Sequence, residues 1–403
     1  MLFDHDEKMI LPSFWGSTSI MLVVGAVLYT VFLLFSGATL MQGTLCLWLF
    51  LEMVVNWNAM SYLTAIKDYK SILYSFAAAV LVAFITSCVL LALALPPVES
   101  LLFAVVLGYG VMLVWDVLLL HRYFPQSREN PWLFLQWVDQ FLPLALTGLF
   151  TTIGLFAHLV ITWCGPLGIK VKGLFYGAPY YDVPAMLAFL TILITTVNFV
   201  VSVEVNFYPT YRSYYSLLND GGTVKDITVA ENEMLAVLNR ELHYTALKQL
   251  LVTAAVISLE KTVLNALPLG FNDAMQQGED TNGNLLGYAL YAVGNTVMLI
   301  LLYFTDYSGA LTASALFAGS TVIFAVIGQF FTTTLFGFGF LVGASLFAIY
   351  AMFRLASYTD NLPYRVLGQQ PIVAETKAGS FTRLGLFLEH KKGKLREEKA
   401  NEE

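Results

Sequence analysis

A chain of 403 residues has room for two or three soluble domains, yet 58% of it is hydrophobic, only 12% is charged and its mean hydropathy is +0.69. Soluble chains carry about a quarter charged residues, so an ordinary water-soluble protein is excluded, and a net charge of −7 with no dense basic tract before the C-terminal tail argues against a nucleic-acid binder. Cys46, Cys88 and Cys164 form no C-x-x-C pair, which speaks against a thiolate zinc site, a disulfide framework and redox chemistry. No metal and no cofactor are expected.

The apolar residues come in continuous blocks at 14–36, 43–65, 71–95, 100–121, 141–163, 183–203, 247–268, 285–304, 309–332 and 335–356. These are about ten runs long enough to cross a hydrocarbon core of roughly 30 Å. Barrel strands would alternate with a period of two, so the pattern predicts an all-α polytopic membrane protein. The opening MLFDHDEKM is acidic, where a secretory signal starts with basic residues, so no cleaved signal is expected. With the N-terminus inside, all of the 21 lysines and arginines except Lys170, Lys172 and Lys261 fall at cytoplasmic positions. Because such residues collect on cytoplasmic flanks, both termini are placed in the cytoplasm.

Linkers divide the chain. Residues 1–121 carry four runs, and the polar, proline-containing stretch 122–140 then reads as a cytoplasmic boundary between two bundles. Residues 141–356 carry the other six. Within them lie an external Gly/Pro/Tyr-rich loop, 164–182, and a cytoplasmic stretch, 204–246, broken at Asp220-Gly221-Gly222. Thr223 is placed to cap a helix whose apolar residues Ile227, Ala230, Met234, Leu238 and Leu242 share one face. Such a helix is expected as a lid lying on the membrane surface before it is expected as a docking site. The segment 357–403 ends in a charged cytoplasmic tail.

Ionisable groups inside the apolar runs are the candidates for function, since each costs at least about 2.5–3.5 kcal/mol to insert at mid-bilayer. Glu52 shares LWLFLEMVVNWNAM with Asn56 and Asn58, amides for which interhelical hydrogen bonding is the plainer role. Asp116 lies near His121 and Arg122, which predicts a structural pairing at the cytoplasmic edge ahead of transport. His158 has the titration range of a pH sensor, although an isolated membrane histidine is more often a hydrogen-bonded packing residue. Glu260 and Lys261 point about 100° apart, so a snorkelling lysine with a tied carboxylate stands beside a cavity role. Asn198, Asn265, Asn295 and Gln329 are weaker pore candidates. Gly339 and Gly343, in FGFGFLVGA, have the G-x-x-x-G spacing of close helix packing and not that of a nucleotide loop. No Walker lysine motif, zincin motif or nucleophile elbow appears, so no catalytic residue is assigned and an enzyme is not expected.

Several segments resemble the PelG family, the membrane transport subunit of the Pel exopolysaccharide system within the MATE and lipid-linked-sugar flippase superfamily. They are YLTAIKDYKSI at 62–72, PYYDVPAMLAFLTI at 179–192, EVNFYPTYRSYYSLLNDGGTVKDI at 204–227, LLYFTDYSGAL at 301–311, FGFGFLVGA at 336–344 and LPYRVLGQQP at 362–371. The resemblance implies a two-lobe fold of twelve helices, against which the four runs before 122–140 make a first lobe short by two. It also implies an acidic-basic pair where this chain has His158-Leu159, so no charge role is carried over there. The implied substrate is an N-acetylhexosamine-rich polysaccharide crossing a bacterial plasma membrane. The implied partners are a cytoplasmic glycosyltransferase and regulatory membrane subunits responsive to a cyclic dinucleotide. On that reading Glu52, Asn56, Asn58, Asp116, His158, Asn198, Glu260, Lys261 and Asn295 are candidates for the path, and Tyr211, Arg212, Tyr215, Lys225 and Arg240 for docking a partner. Aromatic faces suit sugar C–H surfaces, but interfacial belts use the same residues. A non-conducting scaffold for the glycosyltransferase and an ion-coupled exporter of small amphipathic or lipid-linked compounds are the alternatives.

Overall fold

The computed structural model describes residues 7–66, 68–127, 129–266, 281–330, 337–368 and 379–389, without the side chains of 220, 259–266, 281–282 and 366–367. Its contacts divide the chain into two compact units, Met1–Leu142 with Lys170–Phe175 and Glu375–Glu403, and Pro143–Ile169 with Tyr176–Ala374.

The first unit contains α1 (Ile10–Phe35), α2 (Leu40–Ala65), α3 (Tyr69–Ala92), α4 (Pro97–Tyr123) and the short α5 (Leu135–Gln140). Local chemistry sets the starts of the long helices. Thr39 and Gln42 form a reciprocal capping box on α2, the Asp68 carboxylate accepts from Ser71 N at 3.2 Å on α3, and Pro97 opens α4. α4 packs along both α2 and α3, and α1 packs on α2. Gly108 permits the α3 crossing, because a Cβ there would lie 2.6 Å from the Ala79 carbonyl oxygen. One core cluster joins Ile10, Leu11 and Phe14 of α1 to Val55, Ala59 and Leu63 of α2 and Leu120 of α4.

The second unit begins with α6 (Leu142–Trp163). Next in the chain is a hairpin of β1 (Ile169–Lys172) and β2 (Phe175–Gly177), whose residues Lys170–Phe175 count with the first unit. The second unit resumes with α7 (Pro179–Ser202), a π-helical turn at Val203–Phe207 and α8 (Tyr208–Asp220). Next come α9 (Val224–Ala266), α10 (Thr281–Tyr303), α11 (Tyr307–Gly328), α12 (Phe338–Thr359) and α13 (Leu362–Gly368). α12 packs on both α10 and α11. The Gly339/Gly343 spacing does what was expected of it: a Cβ at Gly339 would lie 2.5 Å from Ala325 N, and one at Gly343 would strike the Thr321 hydroxyl.

The stretch 204–246 does not form a separate surface helix. α8 continues α7, Gly221 reverses the chain in the left-handed region at φ +88°, and Thr223 accepts from Asp226 N at 3.2 Å at the start of α9. α9 then runs unbroken for 43 residues, about 64 Å, joining the amphipathic segment to the run expected at 247–268. Its apolar face is already used, since Ala230, Met234 and Leu238 are buried in the core with Tyr214 of α8. Among the described residues nine helices are long and apolar enough to cross a membrane. The end of the run 247–268 lies outside the described residues, as do the side chains of Glu260, Lys261 and Asn265.

Candidate functional site

In α2 a spacing of four puts Trp48, Glu52 and Asn56 on one helical stripe, and this stripe meets α4. Where Glu52 faces α4 the residue is Gly110, whose missing side chain makes room: a Cβ there would lie 3.2 Å from Glu52 Oε1. The two helices thereby flank a groove of about 800 Å³, whose walls include Trp48, Phe103, Leu107, Trp115 and Leu118, with Arg122 also on its lining. Its α4 residues span positions 103 to 122, about 28 Å of helix, which is close to the thickness of a hydrocarbon core.

Glu52 is 8% exposed, and among the described residues its Oε2 has no hydrogen-bond partner. Asn56 is one turn further. Its Nδ2 donates to the Tyr109 carbonyl at 3.1 Å while Oδ1 is left unpaired. Trp48 is a side-chain hydrogen-bond partner of this carboxyl, but a buried carboxylate oxygen left unmet is costly, and a proton, a cation or a ligand donor would satisfy Oε2. Indole and phenyl faces beside a carboxylate suit both surfaces a sugar presents, its C–H faces and its hydroxyls.

The other path candidates separate into different surroundings. Asn58 donates to Ser17 Oγ at 3.1 Å and Thr18 Oγ1 at 2.7 Å, tying α2 to α1 as expected for a packing amide. Asp116 continues the buried α4 stripe of Ala104, Gly108 and Met112 and is not part of the groove. The pairing expected with His121 and Arg122 is not formed. Both Asp116 oxygens are buried without a partner among the described residues, and the nearby Ser75 hydroxyl donates to the Ile72 carbonyl at 3.0 Å.

In the second unit His158 and Asn198 have partners, whereas Gln329 Oε1 is buried without one among the described residues. His158 is buried, with Nδ1 2.7 Å from the Tyr181 hydroxyl, Nε2 3.4 Å from that of Tyr288, and its ring 4.2 Å from that of Phe340. Asn198 accepts from Lys248 Nζ at 2.6 Å, and Asn295 is half-buried on α10. Of the docking candidates, Tyr211 and Tyr215 stack at 4.4 Å within an aromatic cluster that includes Phe207 and Phe304. Arg240 pairs with its neighbour Glu241 at 3.2 Å, while Arg212 and Lys225 are exposed.

Sequence reading missed three features of this unit. Asp306, 2% exposed, takes a two-pronged contact from Arg354, Nε at 2.6 Å and Nη2 at 2.8 Å, and caps α11 through Gly309 N at 3.1 Å. Desolvation pushes its carboxyl upward, but the Arg354 and Gly309 donors prevail and hold it below the usual range. Trp163 Nε1 donates to Asp182 at 2.8 Å. Gln249, fully buried, bonds Thr195 and donates to Thr253 at 3.0 Å. Only Asp306 left a local signal, an Asp three residues before the glycine that begins a run of small residues.

A bundle of long apolar helices with a membrane-length groove is the architecture of a multi-span transport protein. The fold is similar to that of a solved structure described as "Crystal structure of MATE in the bent conformation", with a TM-score of 0.53 and 14% identity over 89% of this chain and 78% of that chain. The family described as "PelG: Putative exopolysaccharide Exporter (EPS-E)" matches residues 1–367, and the chain belongs to it. No curated protein matches the chain. The protein is thus an all-α, multi-pass membrane protein with a MATE-like transporter fold, in a family of exopolysaccharide exporters.

Proposed function

We propose that this chain conducts a Pel-like, N-acetylhexosamine-rich exopolysaccharide across the bacterial plasma membrane, with both termini in the cytoplasm and a cytoplasmic glycosyltransferase feeding it. Regulatory membrane subunits complete the assembly on this reading, and Arg212 and Lys225 remain exposed for a partner. The observation that carries the proposal is the α2/α4 groove, in which Trp48 and Trp115 accompany Glu52, whose Oε2 has no partner among the described residues. Affinity purification from native membranes tests the partnership: a co-purifying glycosyltransferase supports it, and an intact, monodisperse chain that brings none counts against it. Single cysteines at 170 and 225 test the topology, which requires labelling from opposite sides of the membrane.

The same buried carboxylate, with its Oε2 unmet, favours a second reading, an ion-coupled exporter of small amphipathic or lipid-linked compounds, in which Glu52 carries the coupling ion. Removing the proton or sodium gradient separates the two. Export driven by polymer elongation persists, and ion-coupled export stops.

A further inference from the structure

A second cavity, of about 570 Å³, opens among α9, α10 and α12 in the second unit. Its floor is apolar, built by the buried Leu238, Val297 and Leu355. Thr245 also lines it. That side chain is 1% exposed, and its hydroxyl has no partner among the described residues, an unusual state for a buried polar group in a settled structure. The neighbouring Thr296 hydroxyl donates to the Ala292 carbonyl at 2.8 Å and so keeps its lone pairs for a ligand.

The rim supplies the remaining polar groups. Asn239 is exposed there, and His243 places Nδ1 2.6 Å from the Asn239 backbone carbonyl, to which it donates. Glu231 and Asp360 are the charged residues of the lining, which contains no lysine or arginine among the described residues. The nearest basic residue in sequence, Arg240, is paired with Glu241.

We infer that this crevice is a saccharide subsite, taking a neutral or amino sugar and rejecting uronic acids. A pyranose would lay its C–H face on Leu238, Val297 and Leu355 and exchange hydrogen bonds with Thr245, Thr296 and Asn239. A carboxylate-bearing sugar would meet Glu231 and Asp360 with no lysine or arginine in the lining to offset the repulsion. The inference rests on the export reading for its ligand class, but its location is independent of the α2/α4 groove.

Calorimetry on the full chain in detergent tests it, with a β-1,4-linked N-acetylglucosamine tetramer and tetragalacturonate as probes. The wild type is expected to bind the first and not the second. Thr245→Val, which keeps the shape of the side chain, should weaken binding by about tenfold, the worth of one good hydrogen bond, and Asn239→Ala should weaken it less. If the tetramer binds and both variants stay within about twofold, the subsite is overturned and the export reading stands. Failure of the wild type to bind either probe also overturns the subsite, while the export reading is judged separately by polymer release from cells. Tight binding of tetragalacturonate overturns the stated selectivity.

Discussion

The two units treat their buried carboxylates in opposite ways, although each also buries some neutral polar atoms without a partner among the described residues. In the second unit Asp306 has Arg354, Asp182 has Trp163, Gln249 has its threonines and His158 has two tyrosines. In the first, Glu52 and Asp116 are buried with carboxylate oxygens unmet. Packing differs too. Buried residues make up 6% to 28% of the most apolar stretches of α1 to α4, against 22% to 67% in α6, α7 and α10 to α12. Satisfied networks fix a single arrangement, whereas an unpartnered carboxylate is a destabilising feature of the kind found at working sites. On this comparison the second unit is the rigid framework and the first holds the groups available to a ligand or an ion.

Breaking the framework gives the largest expected effect. Arg354→Ala strands the Asp306 carboxylate and should cost about 3–5 kcal/mol, read as a marked fall in melting temperature in detergent. Overpacking comes next. Gly343→Leu drives a side chain into Thr321 and should cost about 1–3 kcal/mol by the same measurement. In the first unit the sign reverses. Asp116→Leu removes an unmet buried charge and should leave the melting temperature unchanged or raise it, by up to about 1–3 kcal/mol; a clear fall would show that Asp116 has a partner.

The smallest effect concerns the segment 380–389, helical in the first unit. The Asp139 carboxylate accepts from Thr382 Oγ1 and N, each at 2.7 Å, and from Phe381 N at 3.2 Å. The Thr382 hydroxyl, with these backbone donors, holds the Asp139 carboxyl below its ordinary 3.8. A lowered carboxylate contributes fully above its unfolded value and loses that contribution as pH falls through the folded one. Protection of this helix from hydrogen exchange should therefore hold at pH 7 and 5 and fade only below pH 3.8. Asp139→Ala should remove the protection at neutral pH.

Much of this was legible in the sequence because a membrane imposes a simple code. Apolar blocks gave the helices, Gly339 and Gly343 their packing, and Glu52 stood out as a charge inside an apolar run. What stayed hidden was pairing. Asp306 and Arg354 lie 48 residues apart, and nothing local in Arg354 distinguishes a framework ion pair from an ordinary cytoplasmic flank charge. The same limit made Asp116 look paired with His121, since helical spacing shows who is near along the chain and not which way the helix is turned. The amphipathic half of α9 read as a surface helix because its partners, Tyr214 and the core beyond it, come from other elements.

The most direct test of the central claim is polymer release from cells carrying Glu52→Gln, normalised to the amount of the protein in the membrane. This change keeps the shape of the side chain and removes its charge in the groove. The account predicts a fall of about tenfold or more in released polysaccharide with no loss of thermal stability. Release within about twofold of wild type, from a chain present at equal abundance, would contradict it.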